Sequence, residues 1–147
     1  PGKELFQYID EEGNRQSIDS GMVNDYIRKL AGEDFTAKDL RTWCGTLVAL
    51  TAISENCLEK DGDSKKNVIA VLDKVSEQLG NSRTVCKKYY VHPGIIEMYE
   101  QDKLKNYFTQ LNKIEEDDNV SGLTAGEKLL MKVLQSTNTN LPNAVVV

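Results

Sequence analysis

Helical periodicity of the apolar residues is the feature that most limits what this chain can fold into. In the stretch "TAKDLRTWCGTLVALT", the apolar face repeats at intervals of three and four residues, through Leu40, Trp43, Cys44, Leu47, Val48 and Thr51. That spacing places these side chains on one face of an α-helix, which is stable when another element covers it. Thr36 to Asp39 match a capping box, in which the threonine oxygen accepts from a free amide and the acid reaches back to the cap. The sequence therefore predicts a long helix after Thr36, with Arg41 outside its apolar stripe.

A helix is also predicted on each side of that one. The first begins with Ser20 as its N-cap and ends at Gly32. The other begins at Ser64 and ends at Gly80, and its predicted buried face contains Val68, Ile69, Leu72, Val75 and Leu79. Before Ser20, two short apolar runs flank an acidic turn that contains a glycine, which indicates a small hairpin or a strand and a turn.

The second half of the chain continues the helical pattern. Ser82 can cap a short helix that extends through Tyr90. Pro93 should break this helix, because proline has no amide to donate to the carbonyl of Tyr89. Apolar residues after Pro93 predict one or two further helical pieces, and residues 124–127, "TAGE", are a second capping box.

These patterns predict a mainly α protein with a single helical domain over residues 1–137 and a flexible tail over residues 138–147. With 147 residues, the chain can bury a core without disulfides or metals. The three cysteines are odd in number and lack CxxC spacing, which argues against a disulfide framework or a zinc site and favours reduced thiols in the cytosol. No apolar run approaches the ~20 residues that a membrane span needs. The chain opens on Pro1 rather than Met, which indicates a fragment of a longer protein.

The charge of the chain is unevenly distributed. The formal net charge of -5 has the wrong sign for a general nucleic-acid-binding domain. Acidic residues concentrate at Glu115–Asp118 and between Glu55 and Asp63, where solvated loops are the simplest interpretation. By contrast, the stretch "NSRTVCKKYYVHP" contains three basic residues and no acidic one. This stretch is therefore a local basic region in an acidic chain.

Two adjacent tyrosines follow these basic residues. If Ser82 starts a helix, Arg83, Lys87 and Tyr90 share one face, whereas Tyr89 lies on the opposite, apolar face. Tyr89 is thus expected in the core, and Tyr90 is the candidate nucleophile for a phosphate. A phenol titrates at about pH 10, so cations that favour phenolate and bind the phosphate would support such a reaction. Ordinary packing at a helix end is the alternative for Tyr90.

The segments "PGKELFQYIDEEG", "FTAKDLRTWCGTLVAL" and "LGNSRTVCKKYYVHP" closely resemble the C-terminal catalytic region of type IB DNA topoisomerases of the bacterial and poxvirus kind. The resemblance extends over about residues 1 to 100. It implies the DNA breaking-rejoining fold and a tyrosine that attacks a DNA phosphodiester, forming a 3′-phosphotyrosyl link and releasing a 5′-hydroxyl. The duplex then swivels and the strand rejoins. This activity relaxes supercoils in double-stranded DNA without ATP, a metal or another cofactor, and we expect a monomer in the cytoplasm of a bacterium or an equivalent intracellular setting.

The resemblance also assigns roles to individual residues. By motif position Tyr90 is the nucleophile, and Arg41 in "KDLRTW" matches the arginine that contacts the scissile phosphate. Lys38 matches a second position near the phosphate, although a solvated helix lysine is the alternative. Asn81 stands where poxvirus members and many recombinases have histidine; it can donate to a phosphate oxygen but cannot carry charge, and a helix cap remains an alternative. The remaining expected phosphate contacts are Arg83, Lys87 and Lys88.

Two other residues have competing interpretations. His92, the only histidine, could act as a general base, but its position just past Tyr90 also suits a turn or packing role. Trp43 could stack on DNA, although its place on the apolar stripe favours the core.

Two further enzymatic parts are expected upstream of this chain. The resemblance implies that a second arginine and the lysine that protonates the leaving 5′-oxygen lie in a preceding segment. Loss of a positioned acid typically lowers a rate by about a hundredfold or more. The 147-residue chain alone is therefore expected to be inactive or very weak.

Two alternatives to a topoisomerase remain. A site-specific tyrosine recombinase uses the same chemistry, but more often has histidine three residues before the arginine, where this chain has Lys38. A non-catalytic helical module that binds DNA or a protein is the alternative from a different class, and the acidic balance suggests it.

Overall fold

The computed structural model describes residues 4–56, 64–111 and 122–138. Helices dominate these residues and a two-stranded hairpin precedes them, so the predicted mainly α class is confirmed. The chain divides into two compact units, Pro1–Leu40 and Arg41–Val147. The acidic run Glu115–Asp118, most of the acidic cluster that ends at Asp63, and the predicted tail beyond residue 138 lie outside the described residues.

The first unit opens with the hairpin. Strands β1 (Gln7–Ile9) and β2 (Arg15–Ser17) pair in antiparallel register. In the turn between them, the Asp10 carboxylate accepts from the amide of Asn14 at 2.8 Å, and Gly13 adopts a left-handed φ of 83°. A side chain at Gly13 would be strained in that conformation, so the glycine suits the turn. The predicted N-terminal hairpin is confirmed.

Helix α1 (Ser20–Ala31) follows the hairpin, but its cap differs from the prediction. Asp19 is the N-cap, and its carboxylate accepts from the amide of Met22 at 2.8 Å. Ser20 is already helical, so the prediction of Ser20 as the cap was wrong: the preceding carboxylate reaches the first free amides instead. Gly32 ends α1 in the left-handed conformation, as predicted. None of the residues of α1 is buried, and its apolar face includes exposed Tyr26 and Leu30.

Helix α2 (Ala37–Asn56) begins at the predicted capping box. The hydroxyl and the amide of Thr36 both donate to the Asp39 carboxylate, and these hydrogen bonds hold the pKa of Asp39 below its ordinary value. The Asp39 amide donates back to the Thr36 hydroxyl at 3.4 Å. The predicted start of this helix is confirmed.

The buried face of α2 is shifted from the predicted stripe. Trp43, Leu47 and Val48 pack against the core, but Leu40 and Thr51 are exposed. The most buried positions are instead Gly45, Thr46, Ala49, Leu50, Ala52 and Ile53. Small residues contribute little to an apolar pattern, yet they allow neighbouring segments to approach the helix closely.

Among the described residues of the second unit, five shorter helices complete the core: α3 (Ser64–Leu79), α4 (Arg83–Tyr89), α5 (Pro93–Glu100), α6 (Lys105–Leu111) and α7 (Ala125–Asn138). Helix α3 packs on α4, and α7 packs on both α5 and α6. Fully buried side chains at the centre of the unit include Leu50, Ile53, Val71, Val75, Ile95, Leu104, Leu129, Leu130 and Val133. No helix in the described part of the chain is both long and apolar enough to cross a membrane.

The prediction for α3 is largely confirmed. Val68, Leu72 and Val75 are buried, and Gly80 follows the helix in the left-handed conformation. Ile69 was expected in the core but is 46% exposed, and Val71 is fully buried instead. Positions 68, 71, 72 and 75 follow the three-and-four spacing of one helical face, and residue 69 falls beside it.

Candidate active site

The turn after α4 determines where the two tyrosines lie. Ser82 caps α4 as predicted, since its hydroxyl accepts from the amide of Val85 at 3.4 Å. The helix ends at Tyr89, one residue earlier than predicted, and Tyr90 is its C-cap. With φ of -126° and ψ of -6°, Tyr90 leaves the helical path. The predicted break before Pro93 is confirmed, because α5 begins at that residue.

The expectation that Tyr89 is a core residue was wrong. Its side chain is 49% exposed, and the ammonium of Lys88 lies 5.0 Å from the centre of its ring. Tyr90, by contrast, is half-buried. The prediction rested on the apolar face of a helix that continues through Tyr90. Because α4 ends at Tyr89, that face does not extend past this residue.

Arg41 and Tyr90 are in direct contact. The guanidinium carbon of Arg41 lies 5.0 Å from the centre of the Tyr90 ring, within the range of a cation–π interaction. The Nη2 of Arg41 also donates to the carbonyl of Leu79 at 2.8 Å. Leu79 is the last residue of α3, where carbonyls lack amide partners from their own helix. The end of α3 and an aromatic face therefore hold Arg41, whose guanidinium has five donors in total.

Asn81 joins the same cluster. Its Nδ2 donates to the Leu79 carbonyl at 3.1 Å, so Asn81 and Arg41 share one acceptor. Its backbone carbonyl accepts from the hydroxyl of Ser76 at 2.6 Å, which fixes the segment between α3 and α4. The bond to Leu79 is the kind that caps a helix C-terminus, and a hydrogen bond from Asn81 to phosphate remains a prediction.

A buried thiol lies beside this cluster. Cys86 is fully buried on α4, and its Sγ lies 4.0 Å from the carbonyl of Asn81. Burial raises the pKa of Cys86, against a smaller lowering effect of the Arg41 charge. Cys86 is therefore a neutral packing residue at ordinary pH, and it brings α4 against the site.

The basic residues of α4 are on the surface. Arg83 forms an ion pair with Asp73 of α3 at 2.6 Å, and both side chains are about half exposed. Lys87 and Lys88 are exposed, and together with Arg83 they line a shallow surface depression. Lys38 lies on the first turn of α2, in the unit Pro1–Leu40. Contacts between these four cations and DNA remain predictions.

His92 has a structural role. It is the N-cap of α5, and its Nδ1 accepts from the amide of Gly94 at 3.2 Å. Burial lowers the pKa of His92 below its ordinary value, which favours the neutral ring that this hydrogen bond requires. The turn interpretation is therefore confirmed.

Trp43 also has a structural role. Its Nε1 donates to the carboxylate of Glu127 at 3.1 Å, and its ring packs against the core. Glu127 is the acid of the second capping box, because it also accepts from the amide and hydroxyl of Thr124. The core interpretation of Trp43 and the capping box at residues 124–127 are both confirmed.

Sequence reasoning missed two residues beside the candidate site, Gly45 and Thr46. Both lie on α2 and contact the backbone that carries Tyr90. A glycine inside a helix costs about 1 kcal/mol relative to alanine, so a glycine in "TWCGTL" signals close approach of another backbone. That signal was present in the sequence.

Comparisons with known proteins identify the family of the chain. Residues 1–118 match the family described as "Eukaryotic DNA topoisomerase I, catalytic core". The chain is also 31% identical over 109 residues to the DNA topoisomerase 1B of Acanthamoeba polyphaga mimivirus, over 69% of this chain and 32% of the relative. The matched segment thus spans about a third of that relative's length. The narrower bacterial and poxvirus grouping remains a prediction. Because the family match includes Arg41, Asn81 and Tyr90 and covers most of the chain, this chain belongs to the family of the DNA topoisomerase I catalytic core.

Proposed function

We propose that the full protein containing this chain is a type IB DNA topoisomerase, in which Tyr90 is the nucleophile and Arg41 contacts the scissile phosphate. The observation that carries the proposal is the 5.0 Å contact between the Arg41 guanidinium and the Tyr90 ring. It brings together the two residues to which the proposed reaction assigns roles, in a chain that belongs to the family of the DNA topoisomerase I catalytic core.

The reaction is a pair of transesterifications. The Tyr90 hydroxyl oxygen forms a bond to phosphorus while the bond from phosphorus to the 5′-oxygen breaks. The phenol loses its proton, and the leaving oxygen keeps the bonding electron pair and takes up a proton to become a 5′-hydroxyl. After the duplex has swivelled, the 5′-hydroxyl attacks phosphorus and Tyr90 leaves. The covalent link conserves the energy of the phosphodiester, so neither step requires ATP.

Arg41 is suited to stabilise the transition state. Negative charge builds up on the oxygens of the five-coordinate phosphorus, and a planar guanidinium can donate two parallel hydrogen bonds to them. The Tyr90 ring and the Leu79 carbonyl already hold this guanidinium in place, so little further ordering would be needed when DNA binds.

The other candidate residues would act on the phosphates of the DNA. We propose that the Asn81 amide, which now donates to the Leu79 carbonyl beside Arg41, donates to an oxygen of the same phosphate when DNA is bound. The cations proposed to contact the flanking backbone are Lys38, Arg83, Lys87 and Lys88. We further infer that the protein acts on double-stranded DNA as an intracellular monomer, and that it uses no metal or other cofactor.

The test compares two variants in the full protein. Wild type, Tyr90→Phe and Tyr89→Phe are incubated with supercoiled plasmid in EDTA without ATP, and relaxation is followed on a gel. We expect wild type and Tyr89→Phe to relax the plasmid and Tyr90→Phe to be inactive. The adjacent, exposed Tyr89 is the matched control, because its substitution removes the same hydroxyl from the same turn.

Trapping with denaturant separates the alternatives. A labelled duplex should form a covalent 3′ adduct with wild type but not with Tyr90→Phe. An adduct at one defined sequence without plasmid relaxation would indicate a recombinase, and no adduct from any variant would indicate a non-catalytic binding module. The 147-residue chain alone, in a parallel reaction, tests the expectation that it is inactive or very weak.

A further inference from the structure

The main chain around Tyr90 rests on the helix that carries Arg41. Thr46 is 2% exposed, and its hydroxyl accepts from the amide of His92 at 3.1 Å. The same hydroxyl donates to the carbonyl of Thr42 at 2.7 Å and lies 3.4 Å from the carbonyl of Tyr90. A hydroxyl can donate only one hydrogen bond, and the Thr46 hydroxyl donates the shorter one, to the Thr42 carbonyl. The hydrogen bond that connects Thr46 to the turn is therefore the one donated by the His92 amide.

Gly45 makes the second contact with this main chain. A Cβ atom at Gly45 would lie 2.5 Å from the carbonyl oxygen of Tyr90 and 3.0 Å from Cδ1 of Leu79. The first distance is far inside van der Waals contact, and a backbone carbonyl cannot swing aside as the end of a side chain can. Glycine therefore allows the Tyr90 carbonyl to lie against α2. Arg41 precedes Gly45 by four residues, so the two share one face of the helix.

This support matters because α4 does not hold Tyr90 in regular helix. Tyr90 is the C-cap with non-helical dihedral angles, and the next helix begins only at Pro93. The amide of Tyr90 bonds to the Cys86 carbonyl, and the amide of Val91 bonds to the same carbonyl. The His92 amide is the next donor along the chain, and its acceptor is on α2 rather than on α4.

We propose that Gly45 and Thr46 are positioning residues that clamp the main chain of Tyr90 to His92 onto α2, and so fix the nucleophile relative to Arg41. The catalytic meaning of this clamp rests on the proposed function, but the clamp itself is a property of the fold. Neither residue touches the reacting atoms; each acts through the backbone that carries Tyr90.

Amide hydrogen exchange in the full protein tests the clamp without DNA. Thr46→Val keeps the shape of the side chain and removes the acceptor of the His92 amide. We expect exchange at His92 to accelerate about tenfold, and Thr46→Ser to restore slow exchange. Thr137→Val is the matched control, because Thr137 is also buried and its hydroxyl donates to a carbonyl of its own helix, that of Leu134. Unchanged exchange at His92 in Thr46→Val would overturn the clamp, whether or not the protein acts on DNA.

Single-turnover cleavage tests the positioning role. Gly45→Ala pushes the Tyr90 carbonyl away from α2, and a displacement of about 1 Å can lower a rate about a hundredfold. We expect that loss in the cleavage rate at saturating DNA, with little change in the dissociation constant for DNA. Gly126→Ala is the control, since a Cβ there meets Leu47 only at an ordinary 3.4 Å.

The outcomes of the two proposals are separable. If Tyr90→Phe is as active as wild type, the proposed function is contradicted. Hydrogen exchange at the His92 amide would still show whether the clamp exists. A cleavage rate in Gly45→Ala equal to that of Gly126→Ala, in an enzyme that Tyr90→Phe inactivates, would overturn the positioning role. Cleavage that is kept in Thr46→Ser and lost in Thr46→Val would support it. Serine keeps the hydroxyl of threonine and valine keeps only its shape, so a purely steric role predicts the opposite result.

Discussion

Arg41 has an observed structural role and a proposed catalytic one. Its guanidinium caps the end of α3 through the Leu79 carbonyl and lies on the Tyr90 ring. The same group is the one proposed to meet the scissile phosphate. A planar, always charged side chain is suited to this combination, because it can stack on a ring and hydrogen-bond in its own plane.

Replacing Arg41 with lysine should therefore impair catalysis although the charge is kept. A lysine ammonium cannot stack as a plane or donate two parallel hydrogen bonds to a phosphate. We expect the single-turnover cleavage rate of Arg41→Lys to fall by about a hundredfold to a thousandfold, with a much smaller change in DNA affinity. Arg28→Lys is the control, since Arg28 has no proposed role at the site and its ion pairs with Asp25 and Asp34 lie at the surface, where such pairs contribute little. Equal cleavage by wild type and Arg41→Lys would contradict the role given to the guanidinium.

His92 should make the stability of the protein depend on pH. Burial lowers its pKa in the folded state below the ordinary value of 6.5, so the unfolded chain binds a proton more readily. The contribution of neutral His92 is thus fully present above about pH 6.5 and is lost as pH falls from there through the lower folded pKa. Protonation of Nδ1 would also break the hydrogen bond from Gly94.

The variant His92→Asn isolates this effect. Asparagine can cap α5 without titrating, so stability above pH 6.5 should be nearly kept. Urea unfolding at about pH 7.5 and about pH 5.5 should show a smaller loss of stability in His92→Asn than in wild type. His92 is the only histidine of the chain, so no other histidine complicates the comparison. The same loss in both proteins would show that His92 is not the responsible group.

At the scale of elements, one carboxylate connects the start of α7 to α2. Glu127 accepts from the amide and hydroxyl of Thr124, both at 2.9 Å, and from the indole of Trp43 at 3.1 Å. The Thr124 amide contributes most to the lowered pKa of Glu127, and the Trp43 indole contributes next. The capping box therefore does more than start a helix, since it also anchors the helix on which Arg41 lies.

Removing this carboxylate should weaken the docking of α7. We expect Glu127→Ala to lower the free energy of unfolding by about 1 to 2 kcal/mol, because an indole N–H and a cap lose their acceptor. Trp43 is the only tryptophan, so its fluorescence reports the same region during urea unfolding. The control is Glu97→Ala on exposed α5 surface, where Glu97 accepts from Gln101 and a change within about 0.5 kcal/mol is expected. A Glu127→Ala effect as small as that of the control would contradict this anchoring.

The elements themselves were largely predictable, because caps and breakers act locally. The observed starts of α2, α4 and α5 lie within one residue of the starts predicted from Thr36 with Asp39, from Ser82 and from Pro93. The faces were less predictable: Ile69 and Tyr89 are exposed because burial depends on which neighbour covers a face, and periodicity does not contain that information.

The candidate site was predictable only in part. Arg41 and Tyr90 were identified through the resemblance and are in contact. The shared acceptor at Leu79 could not be foreseen, since a backbone carbonyl at a helix end leaves no mark in the sequence. Thr46 was equally hidden, because a threonine inside a helix gives no sign of the chain that packs against it.

At the scale of the whole molecule, the charge of -5 is at odds with a DNA partner unless the cations are grouped. Three cations are grouped on helix α4, where Arg83, Lys87 and Lys88 line one surface depression. Arg83 shares its charge with Asp73, which leaves the two lysines as the stronger candidates for phosphate contacts. A local cluster of this kind can bind DNA on a chain that is acidic overall, because screening limits the reach of distant charges to about 10 Å.

This arrangement predicts how salt should affect DNA binding by each variant. Each phosphate neutralised by a lysine releases condensed counterions, so the slope of log K against log salt should become shallower by about 1 when one contact is removed. We expect that change in the full protein for Lys87→Gln and again for Lys88→Gln, measured by fluorescence anisotropy with a labelled duplex at several salt concentrations. Lys132→Gln, an exposed lysine of α7, removes the same charge elsewhere and should leave the slope unchanged. If all three variants lower affinity equally without changing the slope, the effect is one of net charge, and the cluster on α4 is not in contact with the DNA backbone.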